Sequence, residues 1–218
     1  MKSTEEGRSA RKHREIIQAA TVVFMKNGYE GTSMEQIAAK AEVSKQTVYK
    51  HFADKERLFS EIVLATTGQV DRLVALVAGP LTETRALKKD LSLLGRQFIA
   101  SLMEPQLLRL RRLVIANADR MPELGRTWYE QGFERVLATL ASCFGALGKR
   151  HLLIVEDPLL AAHHFVGLLL WIPINQAMFT GNDQPYSKVA LERYADAAVS
   201  AFLAAYGAKT GAAATAHR

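Results

Sequence analysis

Apolar residues recur three or four positions apart along most of the chain, which is the spacing of residues on one face of an α-helix. Between residues 8 and 27 one such stripe is followed by Gly28, a typical C-terminal cap. No alternating pattern of a β-strand extends over a useful length, and the sequence has no internal repeat. The chain is therefore predicted to be all-α. The stripe consists of Ile16, Ile17, Ala20, Val23 and Phe24.

Residues 33–55 predict two short helices joined by a tight turn. Ser33 and Gln36 have the spacing of a capping box, in which two backbone amides at a helix N-terminus are satisfied reciprocally. The first helix is expected to end near Glu42, and Ser44 is placed to cap the second. Two short helices connected in this way form a helix-turn-helix.

The second short helix separates apolar from polar residues. Val48 and Phe52 lie four positions apart and are expected to pack into a core. The other faces carry side chains that bind phosphates and base edges, with no acidic residue between Val43 and Phe52. Taken alone, a solvated surface helix is an equally good interpretation. The candidate base contacts are Lys45, Gln46, Thr47 and Lys50, and the candidate phosphate contacts are Thr32, Ser33, Ser44, Tyr49, His51 and Lys55.

Proline and glycine divide the rest of the chain into further helices. Asp54 is placed to cap a helix at residues 55–78, which Gly79 and Pro80 would end. Later prolines suit the first turn of a helix, where a missing amide costs nothing. About nine helices are expected in total. The later ones are predicted at residues 82–103, 105–118, 122–147, 157–180 and 185–206, with Pro105, Pro122, Pro158 and Pro185 in first turns.

These elements predict two domains. Residues 8–54 form an N-terminal three-helix domain with the helix-turn-helix, and helix 55–78 joins it to a C-terminal helical domain at residues 79–207. A rotation at one end of the joining helix would move the recognition helix at its other end. Residues 1–7 and the low-complexity stretch at residues 208–218 are predicted to be disordered.

Composition and charge indicate a globular chain that can bind nucleic acid. Its 218 residues are 49% hydrophobic and 23% charged, with 28 Lys plus Arg against 22 Asp plus Glu. The net charge of +6 permits a polyanionic partner without requiring one. Residues 1–60 hold 11 basic and 8 acidic side chains, so the positive excess is denser around the helix-turn-helix.

A cytoplasmic location without a membrane span is expected. The single cysteine, Cys143, cannot form an intramolecular disulfide, and the N-terminal residues contain no apolar signal core. The 25 residues between Asp157 and Asp183 lack Lys, Arg, Asp and Glu and could cross a bilayer by length. Pro173 and His163 lie inside this stretch, and no basic anchor flanks it. A helix covered on most of its surface by protein is therefore predicted in its place.

Residues 24–33 read FMKNGYEGTS, and residues 34–59 read MEQIAAKAEVSKQTVYKHFADKERLF. With this spacing, residues 10–62 resemble the DNA-binding domain of the TetR family of bacterial transcription regulators. The pattern V-S-x-x-T-V-Y-x-H-F-x-x-K-E-x-L-F is far more restrictive than a general helix-turn-helix. One departure is Glu42, where the family usually has glycine in the turn. A non-glycine residue at positive φ there would cost about 1 kcal/mol.

The resemblance implies a homodimeric, DNA-binding regulator whose C-terminal domain also binds a small-molecule effector. Release from a palindromic operator by that effector is the expected mode of a repressor. As in relatives, the effector would favour a state in which the two recognition helices no longer match successive major grooves.

A ligand cavity is predicted where Pro173 interrupts the helix at residues 157–180. Proline frees the Leu169 carbonyl and kinks or widens a helix, which can open space beside Trp171. Ordinary core is the alternative interpretation of each residue there. The mostly apolar lining favours a small hydrophobic or aromatic ligand. The candidate lining residues are Phe98, Met103, Leu113, Asn117, Trp128, Tyr129, Phe133, Trp171, Ile174 and Asn175.

The helices near residues 157–180 and 185–206 are predicted to form the homodimer interface. Apolar residues surround the first of them, and small residues on the second permit close approach. Two such helices that pack on their copies make a four-helix interface. Dimerisation also gives a short recognition helix two half-sites, about one DNA turn (roughly 34 Å) apart. A monomer with the first of these helices deep in its core is the alternative.

Catalytic and metal-binding patterns do not occur in the sequence. His163 and His164 are adjacent and diverge by about 100° on a helix, so they cannot chelate one metal as a pair four positions apart does. No cysteine cluster, P-loop or glycine-rich dinucleotide turn is found. We therefore predict no catalytic residue, metal or cofactor. Two alternatives to a ligand-released repressor are a nucleoid or cell-division protein of the same fold and an enzyme built on the helical domain.

Overall fold

The computed structural model describes residues 2–65, 73–75, 81 and 83–208, with side chains from residue 7 onward. The described part of the chain is helical and contains no β-strand beyond an isolated bridge between Leu153 and Gly207. The predicted all-α class is confirmed. The helices are α1 (Lys2–Asn27), α2 (Met34–Lys40), α3 (Lys45–His51), α4 (Lys55–Ala65), α5 (Leu87–Leu102), α6 (Pro105–Ala116), α7 (Pro122–Trp128), α8 (Arg135–Lys149), α9 (Pro158–Thr180) and α10 (Lys188–Tyr206), with a π-helical turn (Tyr129–Glu134) between α7 and α8.

Three of the four predicted helix starts at proline are confirmed. Pro105, Pro122 and Pro158 are the first residues of α6, α7 and α9. The fourth is wrong, because α10 begins three residues after Pro185. Ser187 caps it, because its hydroxyl accepts a hydrogen bond from the Ala190 amide at 3.2 Å. A proline side chain has no acceptor with which to cap a helix in this way. The single helix predicted at residues 122–147 is continuous, but it includes the π-helical turn.

The predicted disorder at residues 1–7 is wrong, because α1 begins at Lys2. Extending a formed helix costs less than nucleating one, and no proline interrupts these residues. The predicted helix at residues 55–78 is described as α4 and as a helical stretch at residues 73–75. Its other residues, the predicted stop at residues 79–80 and the tail from residue 209 lie outside the described residues.

The chain divides into two compact units that differ from the predicted domains. Unit 1 comprises Met1–Gly68 and Arg109–Tyr129, and unit 2 comprises Gln69–Leu108 and Glu130–Arg218. The segment at residues 109–129 was assigned to the C-terminal domain by sequence. It belongs to unit 1 because Leu110, Val114, Met121 and Leu124 are buried in the same apolar cluster as Phe24, Val48, Phe52 and Phe59.

Unit 2 has its own aromatic core. The Phe144 ring lies 5.6 Å from that of Phe165 and 5.0 Å from that of Phe202, and the last two are 5.1 Å apart, measured between centroids. Gly95 on α5 permits a close approach, because a Cβ there would lie 3.3 Å from both Leu169 and Val199. Two small residues of α10, Ala195 and Ala198, are thus buried within the chain, whereas Ala197, Ala201, Ala204 and Ala205 are exposed.

Helix α9 is covered by protein on one side only. Only 39% of its most apolar 18 residues are buried in the single chain, so the predicted cover over most of its surface is not supplied by this chain alone. It is the one described helix that could cross a membrane by length and composition, which core helices of soluble proteins can equally do. The sequence shows apolar residues on every side of α9 and cannot tell which side the chain covers. Its exposed apolar residues are Leu159, Leu160, Leu168, Trp171, Ile172 and Phe179.

Candidate nucleic-acid interface

Both short helices of the helix-turn-helix are capped as their sequences predict. The Ser33 hydroxyl accepts from the Gln36 amide at 3.2 Å, and the Gln36 side chain accepts from the Ser33 amide at 2.8 Å. At the start of α3 the Ser44 hydroxyl accepts from the Thr47 amide at 3.1 Å. These local hydrogen bonds fix where α2 and α3 begin.

The turn between α2 and α3 contains a strained residue. Glu42 has a φ of 54°, the left-handed conformation that favours glycine. The turn is closed by a hydrogen bond from the Val43 amide to the Ala38 carbonyl oxygen at 3.1 Å. The left-handed turn expected at Glu42 is therefore present.

Helix α3 is held on the core of unit 1 by its apolar face. Val48 is completely buried, and Phe52, which caps the C-terminus of α3, is almost so. The Phe52 ring stacks on the ring of His13 in α1, with 4.6 Å between centroids. The predicted inward orientation of Val48 and Phe52 is correct, and the opposite side of α3 is left to solvent.

Four side chains of α3 form an exposed surface, here named the recognition face. It comprises Lys45, Gln46, Tyr49 and Lys50. Lys and Gln can hydrogen-bond to base edges in the major groove, and the Tyr hydroxyl can donate to a phosphate. The surface carries no carboxylate of its own helix, as a surface that approaches a polyanion requires.

One residue of the recognition face has an acidic partner on α2. The Lys45 ammonium forms an ion pair with the exposed Glu35 carboxylate. The hydrogen bond from Lys45 lowers the pKa of Glu35, so Glu35 is ionised at neutral pH. The same ammonium lies 5.7 Å from the centre of the Tyr49 ring. A DNA phosphate or base that approaches Lys45 would therefore meet the Glu35 carboxylate beside it.

Ser44, Thr47 and His51 border the recognition face and are less available. The Ser44 and Thr47 hydroxyl oxygens lie 2.8 Å apart and share a hydrogen bond. Thr47 and His51 are half-buried, and the His51 ring lies 5.8 Å from that of His13. Burial lowers the pKa of His51, and the nearby His13 and Lys50 add to this effect. His51 is thus mainly neutral at pH 7 and would contact a phosphate as a neutral donor.

Two of the predicted phosphate contacts do not lie on this surface. Thr32 is 3% exposed, and its hydroxyl donates to the Gly28 carbonyl oxygen at 2.7 Å. The Lys55 ammonium donates to the carbonyl oxygens of Tyr29 and Thr32 at 2.8 and 3.0 Å. Both side chains therefore hold the segment that leads into α2. They donate to backbone carbonyl oxygens of that segment and not to phosphate oxygens as predicted.

Sequence reasoning missed a contact between this segment and the connection from α6 to α7. The Arg120 guanidinium forms an ion pair with Glu30 and lies 5.2 Å from the centre of the Tyr29 ring. The partners are about 90 positions apart in the sequence, so no local pattern could have indicated the contact. It ties the end of segment 109–129 to the entry of the helix-turn-helix.

The ten predicted ligand-pocket residues are divided between the two units. Leu113, Asn117, Trp128 and Tyr129 belong to unit 1, while the other six belong to unit 2. Trp171 is 72% exposed in the single chain. In unit 2 the Asn175 side chain donates to the Trp171 carbonyl oxygen at 2.6 Å. Phe98 and Met103 are buried, Leu113, Asn117, Trp128, Phe133, Ile174 and Asn175 are half-buried, and Tyr129 is exposed.

Unit 2 has a cleft of about 630 Å³ between α5 and the start of α10. Met103 is the one predicted pocket residue that lines it. Across the described side chains, no group of three or more His, Cys, Asp or Glu residues is placed to hold a metal ion. Cys143 is buried, and burial raises the pKa of its thiol. The recognition face is thus the surface whose chemistry is best defined.

Both units contain sequence that matches known families. Residues 16–62 match the bacterial regulatory proteins of the tetR family, and residues 89–208 match the C-terminal domain of AefR-like transcriptional repressors. A helix-turn-helix followed by this helical domain defines a DNA-binding transcriptional regulator. The second match covers more than half of the chain. The protein belongs to the TetR family, as its resemblance at residues 10–62 predicted.

Solved structures of similar proteins share this fold. A TetR-family transcriptional regulator from Mesorhizobium loti MAFF303099 is 60% identical, with a TM-score of 0.84 over 92% of this chain and 98% of that one. The flavonoid-responsive regulator FrrA is 27% identical, with a TM-score of 0.71 over 92% of this chain and 100% of FrrA.

Curated HTH-type transcriptional regulators match a shorter part of the chain. YhgD from Bacillus subtilis (strain 168), an uncharacterised HTH-type regulator, is 47% identical over 47 residues, which are 22% of this chain and 25% of YhgD. The regulator TcmR from Streptomyces glaucescens is 38% identical over 71 residues, which are 32% of this chain and 30% of TcmR. The matched region thus spans less than a third of these relatives.

Proposed function

We propose that this protein is a repressor that binds a palindromic operator as a cytoplasmic homodimer and leaves it when a small hydrophobic or aromatic molecule binds. The observation that carries the proposal is the recognition face, a group of exposed basic, amide and phenol side chains on the second helix of a TetR-type helix-turn-helix. Members of the family are DNA-binding regulators. Base edges would be contacted by Lys45, Gln46, Thr47 and Lys50, and phosphates by Ser33, Ser44, Tyr49 and His51.

The exposed side of α9 supports a homodimer. Trp171 and Phe179 are 72% and 85% exposed in the single chain, and Leu168 and Ile172 lie on the same helix. Side chains of this size rarely form an exposed apolar surface unless a partner covers it. TetR-family regulators are dimeric, and a second copy of α9 is the expected partner. Since α10 packs within its own chain through Ala195 and Phe202, we assign α9 the larger share of this interface.

Regulation by a small molecule is supported by the presence of segment 109–129 in the same unit as the DNA-binding helices. Segment 109–129 shares its core with the DNA-binding helices, and Arg120 contacts Tyr29 and Glu30 at the entry to α2. A ligand that moves this segment would reorient α2 and α3, provided that it binds the two states with different affinity. A flavonoid-responsive relative, FrrA, supports an aromatic ligand class.

Selection of binding sites from random double-stranded DNA with the full chain tests the proposal. We expect an inverted repeat with half-sites about one helical turn (roughly 34 Å) apart, bound by two copies of the chain. Affinity should also fall steeply as salt rises, because phosphate contacts release counterions. Equally tight binding to all fragments would contradict the proposal and favour the nucleoid-protein hypothesis.

The regulatory half of the proposal needs its own experiment. Hydrophobic and aromatic small molecules can be screened for release of the selected operator, measured by fluorescence anisotropy. We expect at least one such molecule to weaken operator binding and to bind more weakly itself when DNA is present, because coupling between two sites is reciprocal. Turnover of a screened molecule in the absence of DNA would instead support the enzyme hypothesis.

A further inference from the structure

Arg111 is half-buried on α6, on a side that carries buried apolar residues. It is four positions from Leu107 and three from Leu108 and Val114, and all three are buried. Residues at these spacings share one helix face. Arg109, two positions earlier, is exposed on a different side of the same helix. The sequence therefore places one arginine among apolar residues and another, as a natural control, in solvent.

Among the described residues, the Arg111 guanidinium has an aromatic neighbour and no anionic one. Its Cζ atom lies 5.8 Å from the centre of the Trp128 ring in the same unit. No described residue forms an ion pair or a hydrogen bond with its side chain. Burial lowers the pKa of Arg111, and no carboxylate opposes that effect. A half-buried cation without a counter-charge is partly desolvated, and an anion that reaches it would offset that cost.

Other arginines of the chain show what Arg111 lacks. Arg11 pairs with Glu15, Arg120 with Glu30 and Arg126 with Glu123, and all of these pairs are exposed. In unit 2 Arg96 forms a bidentate pair with Asp196, with N to O distances of 2.9 and 2.6 Å. Arg111 is less exposed than these four arginines and lacks the carboxylate partner that each of them has. A carboxylate from outside the chain would supply that partner.

We propose that Arg111, together with Trp128, binds the anionic group of the effector, so that the effector is an aromatic acid rather than a neutral apolar molecule. This inference rests on the proposed function as a ligand-released regulator. The guanidinium offers a planar fork of donors that matches a carboxylate, and the indole of Trp128 offers a surface for an aromatic ring. An aromatic acid satisfies both side chains at once.

Binding at Arg111 would act directly on the DNA-binding unit. Leu110 and Val114 lie beside Arg111 on α6 and are buried in the cluster that contains Phe24 and Phe59. Trp128 packs against the same cluster. A ligand that contacts Arg111 and Trp128 would therefore bias the position of a segment that already belongs to unit 1.

Paired aromatic probes that differ in charge test this inference on the full chain. The probes are 2-naphthoate and its neutral analogue 2-naphthamide, and their affinities are measured by calorimetry for wild type and three variants. Arg111→Met keeps an apolar stem, Arg111→Lys keeps the charge, and Arg109→Met is the matched control. We expect wild type to prefer naphthoate by about tenfold, the contribution of one charge-assisted hydrogen bond.

Arg111→Met should bind naphthoate more weakly and so lose the preference for naphthoate over naphthamide. Arg111→Lys should keep part of this preference, and Arg109→Met should keep all of it. The thermal midpoint of Arg111→Met should fall only slightly, because one contact with the Trp128 ring but no internal ion pair is lost. Equal affinity of wild type for both probes, or no naphthoate binding at all, would overturn the inference. Failure of wild type to bind any selected operator would overturn the proposed function instead.

Discussion

The ammonium group of Lys55 lies 4.3 Å from the centre of the Tyr29 ring and donates to the carbonyl oxygen of that same residue at 2.8 Å. A second hydrogen bond reaches the Thr32 carbonyl oxygen at 3.0 Å. One side chain at the start of α4 thus satisfies two carbonyl groups of the segment before α2. This arrangement makes Lys55 a structural cross-link of unit 1.

Replacement of Lys55 by methionine should therefore destabilise unit 1. The Thr32 carbonyl loses the Lys55 donor and the Tyr29 carbonyl keeps only the Thr32 amide at 3.3 Å, so the expected loss of unfolding free energy is about 1 to 3 kcal/mol. Urea denaturation followed by circular dichroism measures it. Lys26→Met, at an exposed position of α1, is the control and should change stability by less than about 0.5 kcal/mol. Equal stability of the two variants would show that Lys55 does not hold this segment.

Removal of the charge at Glu35 should strengthen DNA binding. In the free protein the Glu35 carboxylate occupies Lys45 and adds negative charge beside the recognition face. An exposed ion pair of this kind contributes less than about 1 kcal/mol, so Glu35→Gln should raise operator affinity about two- to fivefold. Fluorescence anisotropy with the selected operator measures the change. Glu104→Gln, in unit 2, serves as the control, and weaker binding by Glu35→Gln would contradict a competitive role.

Glycine at position 42 should stabilise the helix-turn-helix. Glu42 is held at a φ of 54°, where a side chain costs about 1 kcal/mol relative to glycine. Glu42→Gly should raise the unfolding free energy by about this amount. The neighbouring Ala41 has a φ of −84°, so Ala41→Gly is a matched control that should lower stability. If both glycine variants destabilise the protein, the left-handed conformation of Glu42 carries no strain.

A charge in the centre of the exposed side of α9 should separate the two copies of the chain. Trp171 is 72% exposed, so Trp171→Glu leaves the fold of a single chain intact but buries a carboxylate in the proposed interface. Sedimentation velocity should give the mass of a dimer for wild type and of a monomer for the variant. Val22→Glu places the same change at an exposed residue of α1 and should remain dimeric. A dimeric Trp171→Glu variant would exclude this side of α9 as the interface.

Local features of the helix-turn-helix could be predicted because their causes lie within a few residues. The capping box of Ser33 and Gln36, the cap at Ser44 and the left-handed turn at Glu42 each depend on neighbours three or four positions away. The burial of Val48 follows from the same helical spacing. These features therefore appear in the sequence as patterns.

The roles of Thr32 and Lys55 could not be predicted in this way. A hydroxyl or an ammonium group suits a phosphate oxygen and a backbone carbonyl equally well, and the fold decides between them. The orientation of Trp171 is a similar case. An apolar residue fits a ligand cavity, a core or a subunit interface, and only the packing of α9 shows that this residue faces outward.

The affinity of Lys50→Ala for the selected operator tests most directly whether the recognition face binds the operator. Anisotropy should show a loss of about 1 to 3 kcal/mol for this variant, as expected for one lost base contact. Tyr49→Ala should also bind less tightly, while Lys149→Ala, at an exposed position of unit 2, should bind like wild type. Wild-type affinity in both Lys50→Ala and Tyr49→Ala would contradict the assignment of α3 as the recognition helix.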